Sequence, residues 1–299
     1  MNFYTLQQHL VAMIGAAYPE DLHEADRSQV KSVINQMYRH CYLPTDGLRP
    51  PWAKVPFQLN TRAPFTATIH LVEGMTDFAI LNTQVEFKNA FVGSSMVYGR
   101  RVSRIASVVP GDSRGYLATP SGVTGDFSVT VYSQSMVLPE RTVDVDAEVY
   151  LGGGIHVAPL GSHILLQPRH HMNPGEYYEF GEVGDPCQYS VDTVALGGDM
   201  SPRLVVYPWP TREYAINGNA NVAPKLLVDD DDIPLLPGDC VTDCLLPMAR
   251  AKYAEVSPRY NAGNLNLLKL DRDEATKRIR QLASVQKGSS RRLRLKLGF

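Results

Sequence analysis

The sequence predicts an α+β protein in which helices from both ends of the chain form one helical bundle, with a large antiparallel β-sandwich or barrel region inserted between them. Three observations predict it. Apolar residues recur at three- and four-residue spacing near both ends. Between about residues 51 and 238 the period changes to two, and prolines and glycines punctuate short runs rich in Thr, Val, Ile and Tyr. No helical crossover pattern separates those runs, which argues against a doubly wound nucleotide-binding sheet. The expected divisions are N-terminal helices over 1–50, a β-rich domain over 51–238, C-terminal helices over 239–286 and a basic extended tail over 287–299.

Leu6, Leu10, Met13, Ile14 and Ala17 form the apolar stripe of a first helix over residues 3–17, which Tyr18-Pro19 ends. Val30, Val33, Ile34, Met37, Tyr38 and Cys41 line a second, running from near Ala25 to Leu43-Pro44, and the two suggest a helical hairpin. The strand candidates are residues 65–72, 103–109, 127–133, 142–151, 163–168, 176–183 and 203–210. The helical period returns after Gly238, with Asp239 as the expected N-cap and Val241, Leu245, Met248, Ala249 and Tyr253 on one face. Pro247 calls for a kink there or a later start. A last helix is expected over 271–286, with Ala275, Ile279 and Leu282 inward and a dense charged face outward.

The composition fits a folded chain: of 299 residues 44% are hydrophobic, enough for a sizeable core. The 29 basic and 31 acidic residues nearly cancel, so the summed charge gives no reason to expect a nucleic acid or an acidic polymer as the main partner. No run approaches the roughly 20 apolar residues of a membrane span, and no membrane partner is expected. The N-terminus lacks a basic start and a small-residue cleavage site, so it is not read as a signal peptide. With four scattered cysteines, Cys41, Cys187, Cys240 and Cys244, synthesis in a reducing cytoplasm is the expectation.

The stretch 229–239, DDDDIPLLPGD, raises three readings: a metal site, a catalytic acid cluster or a structural junction. A helix-loop-helix calcium site needs alternating ligands and glycine at its sixth position, and here that position is Pro234. Asp229, Asp230, Asp231 and Asp232 also diverge on any regular backbone. The favoured reading is a solvated acidic turn followed by a staple, with the leucines of IPLLP buried and Pro234 and Pro237 fixing the direction of entry into the third helix. His170-His171 would need Glu176 and Glu179 as further ligands. Cys240 and Cys244 share a helix face with no partner pair nearby and read as buried thiols. The glycine clusters at 152–154 and 197–198 open no helix and carry no phosphate-binding lysine. Ser121 between Pro120 and Gly122 lacks a nucleophile elbow. No catalytic residue, metal or cofactor is assigned, and the expectation is a chain that is not an enzyme.

The C-terminal stretch KGSSRRLRLKLGF carries Lys287, Arg291, Arg292, Arg294 and Lys296 with no acid, alternating with Leu293, Leu295 and Leu297 before Phe299. An extended tail of this kind presents leucines to one side and cations to the other, suited to docking on a neighbouring subunit. A disordered basic tail and nucleic-acid contact are the alternatives.

The order of these segments resembles the head-to-tail adaptor (neck) proteins of tailed bacteriophages, the tail tubular protein A group in particular. The resemblance rests on INQMYRHCYLP, VLPERTVDVDAEVYLGGG, EYYEFGEV, PRLVVYPWPTREYAI and DDDDIPLLPGDCVTDCLLPMARAKYAE, in that order. It implies a structural virion protein: a ring, expected as a dodecamer, between the portal protein and the tail or nozzle proteins, with DNA only passing through its channel. It also implies that the segment 288–299 reaches into the portal. The β region from about Phe57 to Ser135 is larger than the group requires and could mark an added module. Two alternatives stay open: another β-rich virion component, such as a tail-completion or carbohydrate-binding receptor protein using Trp52 and Trp209, and a metal-dependent hydrolase using the aspartates and His170-His171.

Overall fold

The computed structural model describes residues 1–44, 49–83, 85–88, 91–109, 111–146, 148–152, 164–168, 182–192, 201–257, 260 and 265–294. Among these residues are four α-helices: α1 (Phe3–Val11), α2 (Glu24–Tyr42), α3 (Leu246–Val256) and α4 (Leu265–Arg294). The strands are β1 (Lys54–Asn60), β2 (Arg62–Leu71), β3 (Asp77–Thr83), β4 (Ser95–Tyr98), β5 (Arg101–Val108), β6 (Arg114–Leu117), β7 (Gly125–Ser133), β8 (Ser135–Val137), β9 (Thr142–Val145), β10 (Val149–Gly152), β11 (Ile164–Pro168), β12 (Val183–Gly184), β13 (Gln188–Asp192), β14 (Arg203–Tyr207), β15 (Trp209–Pro210) and β16 (Ala215–Val222). The protein is therefore mixed helix and strand, of the α+β kind. It divides into two compact units, Met1–Lys54 with Val222–Phe299, and Val55–Asn221.

In the first unit α1 to α4 share one apolar core that includes Phe3, Leu6, Leu10, Val30, Ile34, Tyr38, Cys41, Leu245, Met248, Tyr253, Ala275 and Ile279. Residues more than 200 apart in sequence thus bury one another's apolar faces, which is what stabilises helices too short or too polar to persist alone. Helix α1 is shorter than its apolar stripe predicts. It tightens into a 3-10 turn over Ala12–Ile14 and stops at Gly15, whose φ of 78° closes the end at no steric cost. Before α3 the chain makes a π-helical turn, Val241–Leu245, with Leu246 N–H bonded to the Val241 carbonyl. This wide turn takes up the constraint of Pro247, which lacks an N–H and crowds the carbonyl four residues back. Asp239 does not cap with its side chain. Its carbonyl accepts from Asp243 N at 2.8 Å and from Thr242 Oγ1 at 2.8 Å.

Helix α4 corrects two expectations. It begins before Asp271 and continues to Arg294, so residues 287–294 are helical and not an extended tail. The arginines, Lys287 and Leu293 of this stretch are good helix formers, and the single Gly288 costs only about 1 kcal/mol against them. No helix among the described residues is long and apolar enough to cross a membrane.

Among the described residues the β structure comprises a barrel, a large sheet and a two-stranded pair. Strands β2-β3-β6-β5-β4-β7 close into a six-stranded antiparallel barrel around Ile69, Leu71, Phe78, Met96, Ile105, Val129 and Val131, with Phe65, Phe87 and Phe91 packed together at one side. The barrel lies within the stretch from about Phe57 to Ser135. The remaining strands form an eight-stranded sheet ordered β1-β16-β10-β11-β13-β14-β8, with β9 on β16, and a two-stranded pair β12-β15. Within the large sheet the β10–β11, β10–β16, β13–β14 and β14–β8 pairs are antiparallel and β11 pairs with β13 in parallel. Buried polar contacts tie barrel to sheet: Arg104 meets Asp192 at 2.6 Å, and Arg203 Nη1 donates to the Val92 carbonyl at 2.7 Å.

Candidate functional site

The acidic stretch forms a turn that builds its own scaffold. Asp232 N donates to the Asp229 carbonyl at 2.9 Å, and Asp232 Oδ2 accepts from Val228 N at 2.7 Å and Asp229 N at 3.0 Å. These two backbone donors hold the Asp232 carboxyl below the ordinary carboxylate range. The outer edge of the turn serves α1. Helix α1 has no acidic residue in its first turn; Asn2 caps Thr5 N at 2.9 Å, and the free Phe3 and Tyr4 N–H groups donate to the Asp232 and Asp230 carbonyls at 2.8 and 2.9 Å. An element some 230 residues away thus satisfies the orphan donors of α1 and sets carboxylates beside its positive end.

Asp230 is the paired member of the run. Its carboxylate accepts from Gln7 Nε2 at 3.0 Å and lies 3.3 Å from Lys31 Nζ and 3.7 Å from Arg27. The Gln7 hydrogen bond, followed by Lys31 and Arg27, depresses its pKa. Helix α2 grips the flanks of the turn through Asn35, Tyr38 and Tyr42, which lie on one face at spacings of three and four. Asn35 donates to the Leu227 carbonyl and accepts from Leu227 N, both at 2.8 Å. Tyr38 Oη accepts from Leu235 N at 2.8 Å, and Tyr42 Oη donates to the Leu235 carbonyl.

The four aspartates therefore diverge: Asp230 faces α1 and α2, Asp232 faces its own loop, and Asp229 and Asp231 face solvent. Among the described residues no group of three or more His, Cys, Asp or Glu side chains is arranged to hold a metal ion. Pro234 is buried and Pro237 exposed. One expectation is overturned: Leu235 is exposed and Leu236 only half-buried. The two tyrosine hydroxyls fix the Leu235 peptide edge-on to α2, which turns its side chain outward. The segment 222–238, expected at the end of the β-rich domain, groups with the helices for the same reason.

Cys41, Cys240 and Cys244 are buried free thiols, and burial pushes Cys41 up and Cys244 up to about 12, which leaves them protonated and unreactive near neutral pH. His170, His171, Glu176, Glu179, Gly153, Gly154, Gly197 and Gly198 lie outside the described residues, as do Leu295, Lys296, Leu297 and Phe299. Arg291, Arg292, Leu293 and Arg294 occupy the last turn of α4. The sequence offered no signal for Gln7, Arg27, Lys31, Asn35, Tyr38 and Tyr42 as partners of the acidic turn, since each is distant in the chain and reads as ordinary helix surface or core.

Two concavities among the described residues offer room for a small molecule. One, about 290 Å³, is lined in the β unit by Val97, Arg100, Val102, Tyr132, Glu182 and Trp209 among others. The other, about 480 Å³, lies between α4 and the turn before α3, where Arg278 pairs with Asp243 at 2.7 Å. Neither lining contains a Ser, Thr, Cys or His that could serve as nucleophile or imidazole base. No protein-family model matches the chain, and no curated protein matches it.

Proposed function

We propose that the chain is a structural virion protein, an adaptor subunit of the head-to-tail neck of a tailed bacteriophage. It forms a ring, a dodecamer, that joins the portal protein to the tail or nozzle proteins and lines the DNA exit channel. In this reading the four helices are the bundle from which the ring is built, and the inserted β region supplies outer contacts. The chain acts in the virion after synthesis in the host cytoplasm, and turns over no substrate.

The observation that carries this reading is that both ends of the chain meet in one helical unit while Val55–Asn221 forms a second unit interposed in sequence. The near-neutral charge supports it, because a strongly basic lumen would retain passing DNA through counterion release. The use of the aspartates as an internal junction supports it over a hydrolase, which needs carboxylates that converge. Open aromatic faces of the kind a sugar platform needs are not offered by the tryptophans. Trp209 is buried with its ring 5.2 Å from that of Tyr132, and Trp52 is half-buried with its indole N–H on the Cys41 carbonyl.

The test is sedimentation of the purified chain with the portal ring of the same phage. Co-sedimentation in a fixed ring stoichiometry is expected. A chain that stays at the top of the gradient with portal present would overturn the assignment.

A further inference from the structure

Residues 226–235 are apolar on both sides. Leu227 and Pro234 turn inward, while Leu226, Val228, Ile233 and Leu235 are 54%, 66%, 65% and 71% exposed. The two arms of the turn thus carry apolar residues outward as well as inward, and such an exposed apolar patch is the mark of an interaction surface. The backbone is held at Leu227 by Asn35, at Leu235 by Tyr38 and Tyr42, and at Asp230 and Asp232 by the first turn of α1. The outward side chains therefore stand on a fixed ridge, and little ordering entropy remains to be lost when something docks there. Asp229 and Asp231 sit exposed in the turn between the two apolar pairs, without an ion pair among the described contacts.

We propose that this ridge receives the basic, leucine-rich C-terminal segment of a second copy of the chain, residues 287–299. That segment is the charge complement of the ridge: Lys287, Arg291, Arg292, Arg294 and Lys296 are unopposed by any acid, and Leu293, Leu295 and Leu297 match the apolar pairs. Helix α4 continues about 22 Å past Ile279, at 1.5 Å per residue, to Arg294. Ridge and segment are different surfaces, so the contact can repeat head-to-tail from copy to copy. The inference rests on the ring reading for its biological setting, and self-association in solution tests it separately.

The experiment is analytical ultracentrifugation of the full chain at high concentration and low ionic strength. Wild type is expected to self-associate, and D229K/D231K and R291E/R292E/R294E each to weaken association by about tenfold or more while keeping the wild-type circular dichroism. An equimolar mixture of the two variants is expected to associate again, because each then offers the complement of the other. I233D/L235D, at exposed positions, is expected to weaken association without unfolding the chain. A monomeric wild type, or charge variants that associate as wild type does, would overturn the proposal. Association through the ridge by a chain that ignores the portal would sink the neck assignment and leave the ridge contact standing.

Discussion

Asp230 shows how one side chain in a run of four differs from its neighbours. Its folded pKa is lowered, so its stabilisation is present above the ordinary aspartate value of about 3.9 and is lost as pH falls through the lower folded value. Asp230→Asn is expected to cost about 0.5–1 kcal/mol at neutral pH, a small figure because the pairs are partly exposed. The gap to wild type should close on acidification below about pH 4 in thermal or urea unfolding. Asp229→Asn is the control and should stay within about 0.5 kcal/mol of wild type. Asn35→Ala removes both partners of the buried Leu227 peptide and is expected to cost about 1–3 kcal/mol, measurable by urea unfolding. None of this was legible in the sequence. DDDD announces charge, but which carboxylate is paired depends on Gln7 and Lys31, about 200 residues upstream.

Elements whose signal is periodic and local were legible. Helix α2 occupies almost the expected span, and β2, β5, β7 and β14 lie where alternation placed them. Other strands carry no such signal. Strand β16, AINGNANV, is full of residues that disfavour strands and is held by its neighbours; Gly218 lies beneath the Phe57 ring of β1, where a Cβ would come within 2.8 Å of it. Strands β4, β6 and β8 are too short for alternation to be counted. The end of α4 was misread because Gly288, Ser289 and Ser290 look like a linker, whereas a helix already nucleated at Leu265 propagates through them at modest cost. Within the barrel, Gly115 of β6 faces the Phe78 ring, and a Cβ there would sit 2.4 Å from it. Gly115→Ala is therefore expected to destabilise the β unit by about 1–3 kcal/mol in thermal unfolding, through overpacking.

The chain's two units differ in how their residues are drawn from the sequence: one is a continuous stretch, the other is assembled from both ends. Among the described residues the apolar core of α1 to α4 is supplied by the helical unit. Replacing residues 55–221 with a short Gly/Ser linker is expected to leave a helical protein that unfolds cooperatively, as followed by circular dichroism at 222 nm; loss of the helical signal would mean the helices depend on the β unit. The fold class was readable from the change of period along the chain. The pairing of the ends was only the economical expectation, since periodicity says that a face is apolar and not what covers it. The proposed role is that of a neck subunit built on that joint helical base. Electron microscopy of phage particles carrying a gold-labelled tag on this chain is the decisive measurement: label at the head–tail vertex is the predicted result, and label at the tail tip, on the capsid faces or absent from the particle would contradict it.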